Sequence, residues 1–213
     1  MKTLSIEYAL LSIQSALLGE VTPELRAVIL DLDQDNVLLH AYFYHDGEAS
    51  EKHLDIWSCV ISEGSVDLEP EFLTKAKIEQ LDYPQEIPSK GYFAYLRKEE
   101  RGLQLKKNSL SKLEIKEMSL AYAMLAVQHA LLGVVTPELR AVIVDFDKEK
   151  ILLYIHFYYD KEVSKSLIDL WLTAIAEIRT DFAPNSLLDH GVERVDYPFV
   201  FPFRGRYAYR RKE

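Results

Sequence analysis

The 213-residue sequence has one cysteine, Cys59, so no disulfide bond can form within the chain. No apolar stretch approaches the roughly 20 residues of a membrane-spanning helix, and Glu7 interrupts the apolar start that a signal peptide would need. Glycine-rich phosphate loops, nucleophile elbows and paired-cysteine zinc spacings are also missing. These absences favour a cytoplasmic protein without a membrane partner or cofactor, and they leave enzymatic activity unsupported.

Basic residues are scarce relative to acidic ones, and the net charge is −9. Nonspecific affinity for nucleic acid depends on clustered Lys and Arg, so this balance argues against a nucleic-acid partner and favours a basic one. The acidity is uneven. Residues 1–107 carry 11 basic against 19 acidic side chains, whereas residues 108–213 carry 14 against 15.

The sequence repeats itself at an offset of 114 residues. The segment from Ala16 to Gly19 recurs at 130–133, and the nine residues from Val21 to Ile29 recur at 135–143. Without a gap, 46 of 99 aligned positions are identical, which chance cannot produce. The pattern predicts two modules, residues 1–99 and 115–213, joined by a polar linker or extended helix start at 100–114.

Each module shows the same order of predicted elements. In the first, apolar residues at helical spacing predict helices over 4–18 and 50–63, and Gly19 is suited to end the first helix. The equivalent helix of the second module could begin as early as Ser111, since Leu113 and Glu117 continue its pattern. Strands are predicted over 25–32, 37–44, 74–82 and 91–97.

The predicted fold is α+β, with two tandem α-β-β-α-β-β modules. Short loops between strands indicate an antiparallel four-stranded sheet, and two amphipathic helices can cover only one of its faces. We therefore expect an open second face. Alternate positions of the second strand of each module should line it, namely Leu38, His40, Tyr42 and Tyr44, and Leu152, Tyr154, His156 and Tyr158.

The duplication tests candidate catalytic groups, because a site used by both modules must appear in both. None of the six histidines aligns with a histidine, and Cys59 aligns with Thr173. Asp31, Asp33 and Asp35 begin like a calcium loop, but Asn36 stands where such a loop needs glycine. A shared histidine, cysteine or calcium site is thus disfavoured, and the acidic run is typical of a solvated turn.

Tyrosine and arginine on the open face are candidates for binding a partner, because both residue types are enriched in interface hot spots. For most polar residues kept in both modules, a structural role in turns and strand ends is the alternative. The candidate partner-binding residues are Arg26, Asp31, Asp33, Tyr42, Tyr44, Tyr95 and Arg97 in the first module and Arg140, His156, Tyr158, Tyr209 and Arg211 in the second.

The segment from Leu17 to Val28, the Asp82-Tyr83-Pro84 turn and the closing Tyr95 to Glu99 resemble a family of small single-module bacterial α/β proteins. Some of its members occur near toxin systems. The chain is also similar in style to immunity proteins of contact-dependent growth inhibition. That resemblance implies a protein that blocks a toxin by covering its active surface, and it transfers no catalytic residue. The present chain departs from it by carrying two modules.

We therefore predict a non-catalytic protein-binding protein of the immunity type, whose partner is a basic toxin domain. Two other functions stay open from the sequence. One is a small-molecule or nucleotide-binding pair with a cleft between the modules, and the other is a structural oligomerisation module.

Overall fold

The computed structural model describes residues 5–66, 68, 72–99, 119–182, 186–202 and 205–213. The chain divides into two compact units, Met1–Arg97 with Lys212–Glu213, and Lys98–Arg211. The predicted linker at 100–114 lies outside the described residues, as do Ser111, Leu113 and Glu117.

The two modules contain the same elements in the same order. The first is built from α1 (Ile6–Ala16), β1 (Leu25–Asp33), β2 (Leu38–His45), α2 (Glu51–Val66), β3 (Leu73–Gln80) and β4 (Tyr92–Leu96). The second is built from α3 (Leu120–Ala130), β5 (Leu139–Asp147), β6 (Leu152–Tyr159), α4 (Lys165–Thr180), β7 (Leu187–Arg194) and β8 (Arg206–Arg210). The α-β-β-α-β-β order predicted from the sequence is confirmed.

Local signals explain where the helices begin and end. Ser5 caps α1 by accepting a hydrogen bond from the Tyr8 amide, and Ser119 and Ser164 cap α3 and α4 in the same way. After α1 the backbone turns through Gly19, whose φ of +81° suits a residue without a Cβ. The capping glycine predicted from the sequence therefore has the expected conformation.

The sheets are mixed, so the prediction of purely antiparallel sheets is wrong. The strand orders are β3-β2-β1-β4 and β7-β6-β5-β8, and β3 and β7 run parallel to their neighbours β2 and β6. The reason lies in the connection. A helix of 16 residues separates β2 from β3, and such a crossover returns the chain in the same direction, which a short hairpin cannot do.

The helices pack on one face of each sheet. In the first module the Trp57 ring of α2 lies 5.9 Å from the Phe43 ring and 5.2 Å from the His45 ring, both on β2. Trp57 and Phe43 are fully buried. The two helices approach closely at Gly64, where an added Cβ would lie 2.5 Å from Ile13 Cδ1, so this glycine permits the contact.

The opposite face is crossed by a loop. Because β3 and β4 are the two edge strands, the connection between them, residues 81–91, passes across β2 and β1. The described part of the same connection in the second module is residues 195–202. We call these the first and second crossing loops. Phe201 and Val195 of the second loop pack on a buried cluster of Ala141, Ile143 and Tyr158. The expectation of an open face is therefore wrong where a loop lies on it.

Candidate protein-binding surface

A buried arginine holds each crossing loop in place. Arg26 has no exposed surface, and its guanidinium donates hydrogen bonds to the carbonyl oxygens of Leu81 and Gln85. Arg140 likewise donates to the carbonyl oxygens of Val195 and Phe199. Two planar donors on one side chain satisfy two loop carbonyls at once, as arginine geometry allows.

Acidic residues kept in both modules complete this network. In the first module Asp46 accepts a hydrogen bond from the Tyr83 amide at 2.7 Å and pairs with Arg97, and Asp82 accepts one from the Gly47 amide at 2.7 Å. Arg97 also donates to the Pro23 carbonyl at 2.6 Å. The network ties the crossing loop, the end of β2 and the turn before β1 to the end of β4.

The second module repeats the network. Arg211 pairs with Asp160 at 2.8 Å and donates to the Pro137 carbonyl, while Asp196 accepts a hydrogen bond from the Lys161 amide at 2.7 Å. Four charged residues that the two modules share thus have structural partners, namely Arg26, Asp46, Asp82 and Arg97 with their equivalents in the second module. Their retention is explained by the crossing loop and does not require a shared binding site.

The surroundings of the Asp46 carboxyl lower its pKa. Partial burial acts in the opposite direction, but the hydrogen bonds from the Tyr83 amide and Arg97, together with the charges of Arg97 and Arg26, outweigh it. Asp196 is held ionised chiefly by its hydrogen bond with Arg194, which also lowers the pKa of that carboxyl. The network is therefore a set of charged groups near neutral pH.

Half of the candidate partner-binding residues are buried. The six are Arg26, Tyr44, Tyr95, Arg140, Tyr158 and Tyr209. The expectation that they line an exposed face is wrong: Phe201 of the second crossing loop packs on Tyr158, and the guanidinium groups of Arg26 and Arg140 are bonded to loop carbonyls. Burial also raises the pKa of the Tyr44 hydroxyl.

The other six candidates keep some accessible surface. Arg97 and Arg211 are half-buried within the ion pairs described above. Asp31 lies 3.6 Å from Lys90, and Asp33 accepts hydrogen bonds from Asn36 that lower the pKa of its carboxyl. Tyr42 and His156 are half-buried on their strands.

Aromatic rings form a row along β2 on the loop side of the sheet. The ring centres of His40 and Tyr42 are 6.0 Å apart, and those of Tyr42 and Tyr44 are 6.5 Å apart. The parallel partner β3 places Lys75 beside His40 and Lys77 beside Tyr42. Asp31 is the β1 partner of His40. The structure thus brings Asp31 and Tyr42 to one face of the first module, with lysines at its edge.

The second crossing loop exposes apolar side chains that the sequence analysis did not select. Tyr197, Phe199 and Val200 are 61%, 71% and 88% exposed. At the positions of Phe199 and Val200 the first crossing loop has Gln85 and Glu86. Comparing the two modules for polar positions of one that are apolar in the other would have found them.

Among the described residues, no group of three or more His, Cys, Asp or Glu side chains is placed to hold a metal ion. Within the same part of the chain, every helix is too short or too polar to cross a membrane.

Comparisons with known proteins bear on both modules. The C-terminal domain of CdsD, described as the structural protein of the type III secretion system of Chlamydia trachomatis, is 16% identical over 91% of this chain and all of that domain. Its TM-score of 0.26 is too low to support an argument about fold or function. No curated protein sequence matches. The profile of the MafI2 immunity proteins matches residues 7–99 and again residues 121–213, so the chain belongs to the MafI2 immunity protein family, with two family domains in tandem.

Proposed function

We propose that this chain neutralises a toxin by binding it as a protein partner. The observation that carries the proposal is the match of both modules to a family of immunity proteins. Arg26 and Arg140, which the modules share, are used within each module to hold the crossing loop, so their retention does not call for a shared catalytic site.

A basic toxin domain is the partner that the charge of the first module favours. Asp31 and Asp33 lie on β1 and Tyr42 lies on β2, and all three side chains keep accessible surface. The pKa of the Asp33 carboxyl is lowered, so this group stays ionised. A carboxylate pair beside an aromatic ring is suited to an arginine or lysine of the partner. The cytoplasm remains the predicted compartment, since a protein that protects its own cell must reach a toxin acting inside it.

The test is binding and growth protection with a candidate toxin domain encoded in the same genome. The full chain should protect cells that express the toxin domain, and the two purified proteins should form a complex of defined stoichiometry. Absence of a complex, together with absence of protection, would contradict the proposed function.

A charge reversal tests the role of the first module. Asp31→Lys should weaken the complex about tenfold, in the range expected for an accessible charge pair at an interface. The matched control is Asp145→Lys, which places the same charge at the equivalent position of β5. Equal effects of the two variants would show that the acidic surface of the first module has no special role.

A further inference from the structure

The second crossing loop carries apolar side chains that its own module does not use for packing. Phe199 and Val200 are 71% and 88% exposed, while their neighbour Phe201 packs on Tyr158 with ring centres 5.1 Å apart. Exposed apolar groups in a contiguous segment are a mark of interaction sites. Phe201 therefore anchors the loop, and Phe199 and Val200 are available to another molecule.

The first crossing loop shows that the fold does not require these residues. Its anchor, Ile87, is buried at the position equivalent to Phe201, and Arg26 holds its backbone as Arg140 holds that of the second loop. At the two outward positions, however, the first loop has Gln85 and Glu86, both exposed. The same architecture thus forms with polar residues at these positions, so folding does not explain why Phe199 and Val200 are apolar.

Several contacts fix the described part of the loop, residues 195–202. Arg140 donates to the Phe199 carbonyl at 3.1 Å, and its guanidinium carbon lies 4.7 Å from the centre of the Phe201 ring. The Asp196 carboxylate accepts hydrogen bonds from the Arg194 side chain and from the Lys161 amide. A segment that is already ordered loses little conformational entropy on binding, which favours affinity.

The charge beside the loop indicates the chemistry of the partner surface. Arg210 is exposed, and its guanidinium lies 5.3 Å from the centre of the Tyr207 ring, which in turn neighbours Phe201 at 6.2 Å. The first module has the buried Leu96 at the equivalent position. An arginine stacked on tyrosine beside an apolar loop is complementary to an apolar depression bordered by carboxylates.

We propose that Phe199 and Val200 of the second crossing loop, together with Arg210 of β8, dock into an apolar depression bordered by carboxylates on the neutralised toxin. This inference rests on the proposed function. It assigns a distinct surface to each module. The outward positions of the first crossing loop are polar, and the accessible acidic candidates of the first module, Asp31 and Asp33, lie on β1.

The test replaces the outward pair with the residues of the other module. Phe199→Gln combined with Val200→Glu should fold, since the first loop carries these residues, and should weaken the toxin complex by about 30-fold or more, as loss of interface hot spots does. Gln85→Ala combined with Glu86→Ala is the matched control and should leave the dissociation constant unchanged. Thermal melting of both variants checks that each is folded.

Charge is tested separately with Arg210. Arg210→Glu should weaken the complex about tenfold or more, whereas Arg210→Lys should retain most of the affinity. If Arg210→Glu binds as tightly as the unaltered chain, the proposal that carboxylates of the toxin border the depression is wrong.

The possible outcomes separate this inference from the proposed function. If the unaltered chain does not bind the toxin domain, both fail. If it binds, and the Phe199→Gln, Val200→Glu variant binds within twofold, only the assignment of the loop fails. If light scattering shows that this variant abolishes self-association of the chain while toxin affinity stays the same, the loop's partner is a second copy and the inference is overturned.

Discussion

At the residue scale, the loop that crosses each sheet explains why both modules keep four charged groups: Arg26, Asp46, Asp82, Arg97 and their equivalents. Arg26 is the clearest case, because a fully buried guanidinium pairs with Asp46 at 3.7 Å and satisfies two backbone carbonyls. A buried charge is tolerated only with such partners. Removing it leaves the carbonyls of Leu81 and Gln85 without their donor.

We expect Arg26→Met to lower the free energy of unfolding by about 3 kcal/mol, the scale of breaking a buried charged network. Urea denaturation of the variant measures the loss. Arg140→Met should cost a similar amount, since Arg140 has the same role in the second module. A loss below about 0.5 kcal/mol, typical of surface substitutions, would contradict the role of Arg26 as the anchor of the crossing loop.

The lowered pKa of Asp46 predicts a loss of stability in acid. The folded state holds the pKa of this carboxyl below its usual value of 3.8, so the ionised form stabilises the fold above that pH. This contribution is lost as the pH falls below about 4 through the folded pKa. Asp46→Asn should therefore be less stable than the unaltered chain at pH 7, with a difference that narrows towards pH 2.

Denaturant midpoints between pH 7 and pH 2 measure this effect. The control is Asp35→Asn, which removes an exposed carboxyl from the same module. If the difference between Asp46→Asn and the unaltered chain stays constant across this range, the ionised carboxyl of Asp46 does not stabilise the fold.

At the element scale, both hairpins contain an unusual backbone conformation. Val37 and Ile151, the last loop residues before β2 and β6, have φ values of +53° and +51°. A β-branched residue is rarely found in this left-handed region, because its Cβ comes close to the backbone carbonyl. The hairpin connection requires this conformation at the same position in both modules, whichever side chain is present.

Replacing Val37 separates backbone from side-chain effects. Val37→Gly should be more stable than Val37→Ala by about 1 kcal/mol, because only glycine removes the Cβ that the left-handed conformation disfavours. Ala is the matched control, since both variants lose the valine methyl groups. Chemical denaturation compares the free energies of unfolding of the two variants. If Val37→Ala is the more stable, the left-handed conformation does not strain the backbone at this position.

The helix pairs differ between the modules although the element order is the same. Gly64 of α2 lies against Ile13 of α1, and the position equivalent to Gly64 in α4 is Ile178, which is fully buried. A glycine allows close approach, whereas an isoleucine fills the space with its own side chain. Each helix pair has therefore adapted its packing to a different residue at one contact.

At the scale of the whole molecule, the two modules combine one architecture with different surfaces. The first half of the sequence has a net charge of −8 and the second a net charge of −1. The second crossing loop has exposed apolar groups where the first has polar ones. These differences are compatible with a partner that presents unlike surfaces to the two modules.

The net charge predicts how binding responds to salt. If acidic side chains of the first module attract a basic toxin, the association rate constant should fall about tenfold as the ionic strength rises from low salt to about 0.5 M, because ions screen exposed charges. Stopped-flow association measures this. The Phe199→Gln, Val200→Glu variant should keep a similar salt slope and instead dissociate faster, since apolar contacts chiefly affect the dissociation rate. A salt-independent association rate would exclude electrostatic attraction.

The sequence by itself determined the duplication, the element order and the glycine that ends α1. These depend on the repeated residues, on apolar spacing and on the local effect of Gly19. The resemblance to immunity proteins also came from the sequence and agrees with the family of both modules.

Only the tertiary structure decided the direction of β3, the path of the crossing loops and the burial of Arg26, Tyr44 and Tyr158. Whether a strand runs parallel or antiparallel depends on which strand it pairs with after the connecting helix. This pairing is nonlocal, so the alternation of apolar and polar residues along a strand does not reveal it. The crossing loop follows from the positions of β3 and β4 at opposite edges. For the same reason, only the structure shows that Phe201 packs on the sheet while Phe199 and Val200 stay exposed.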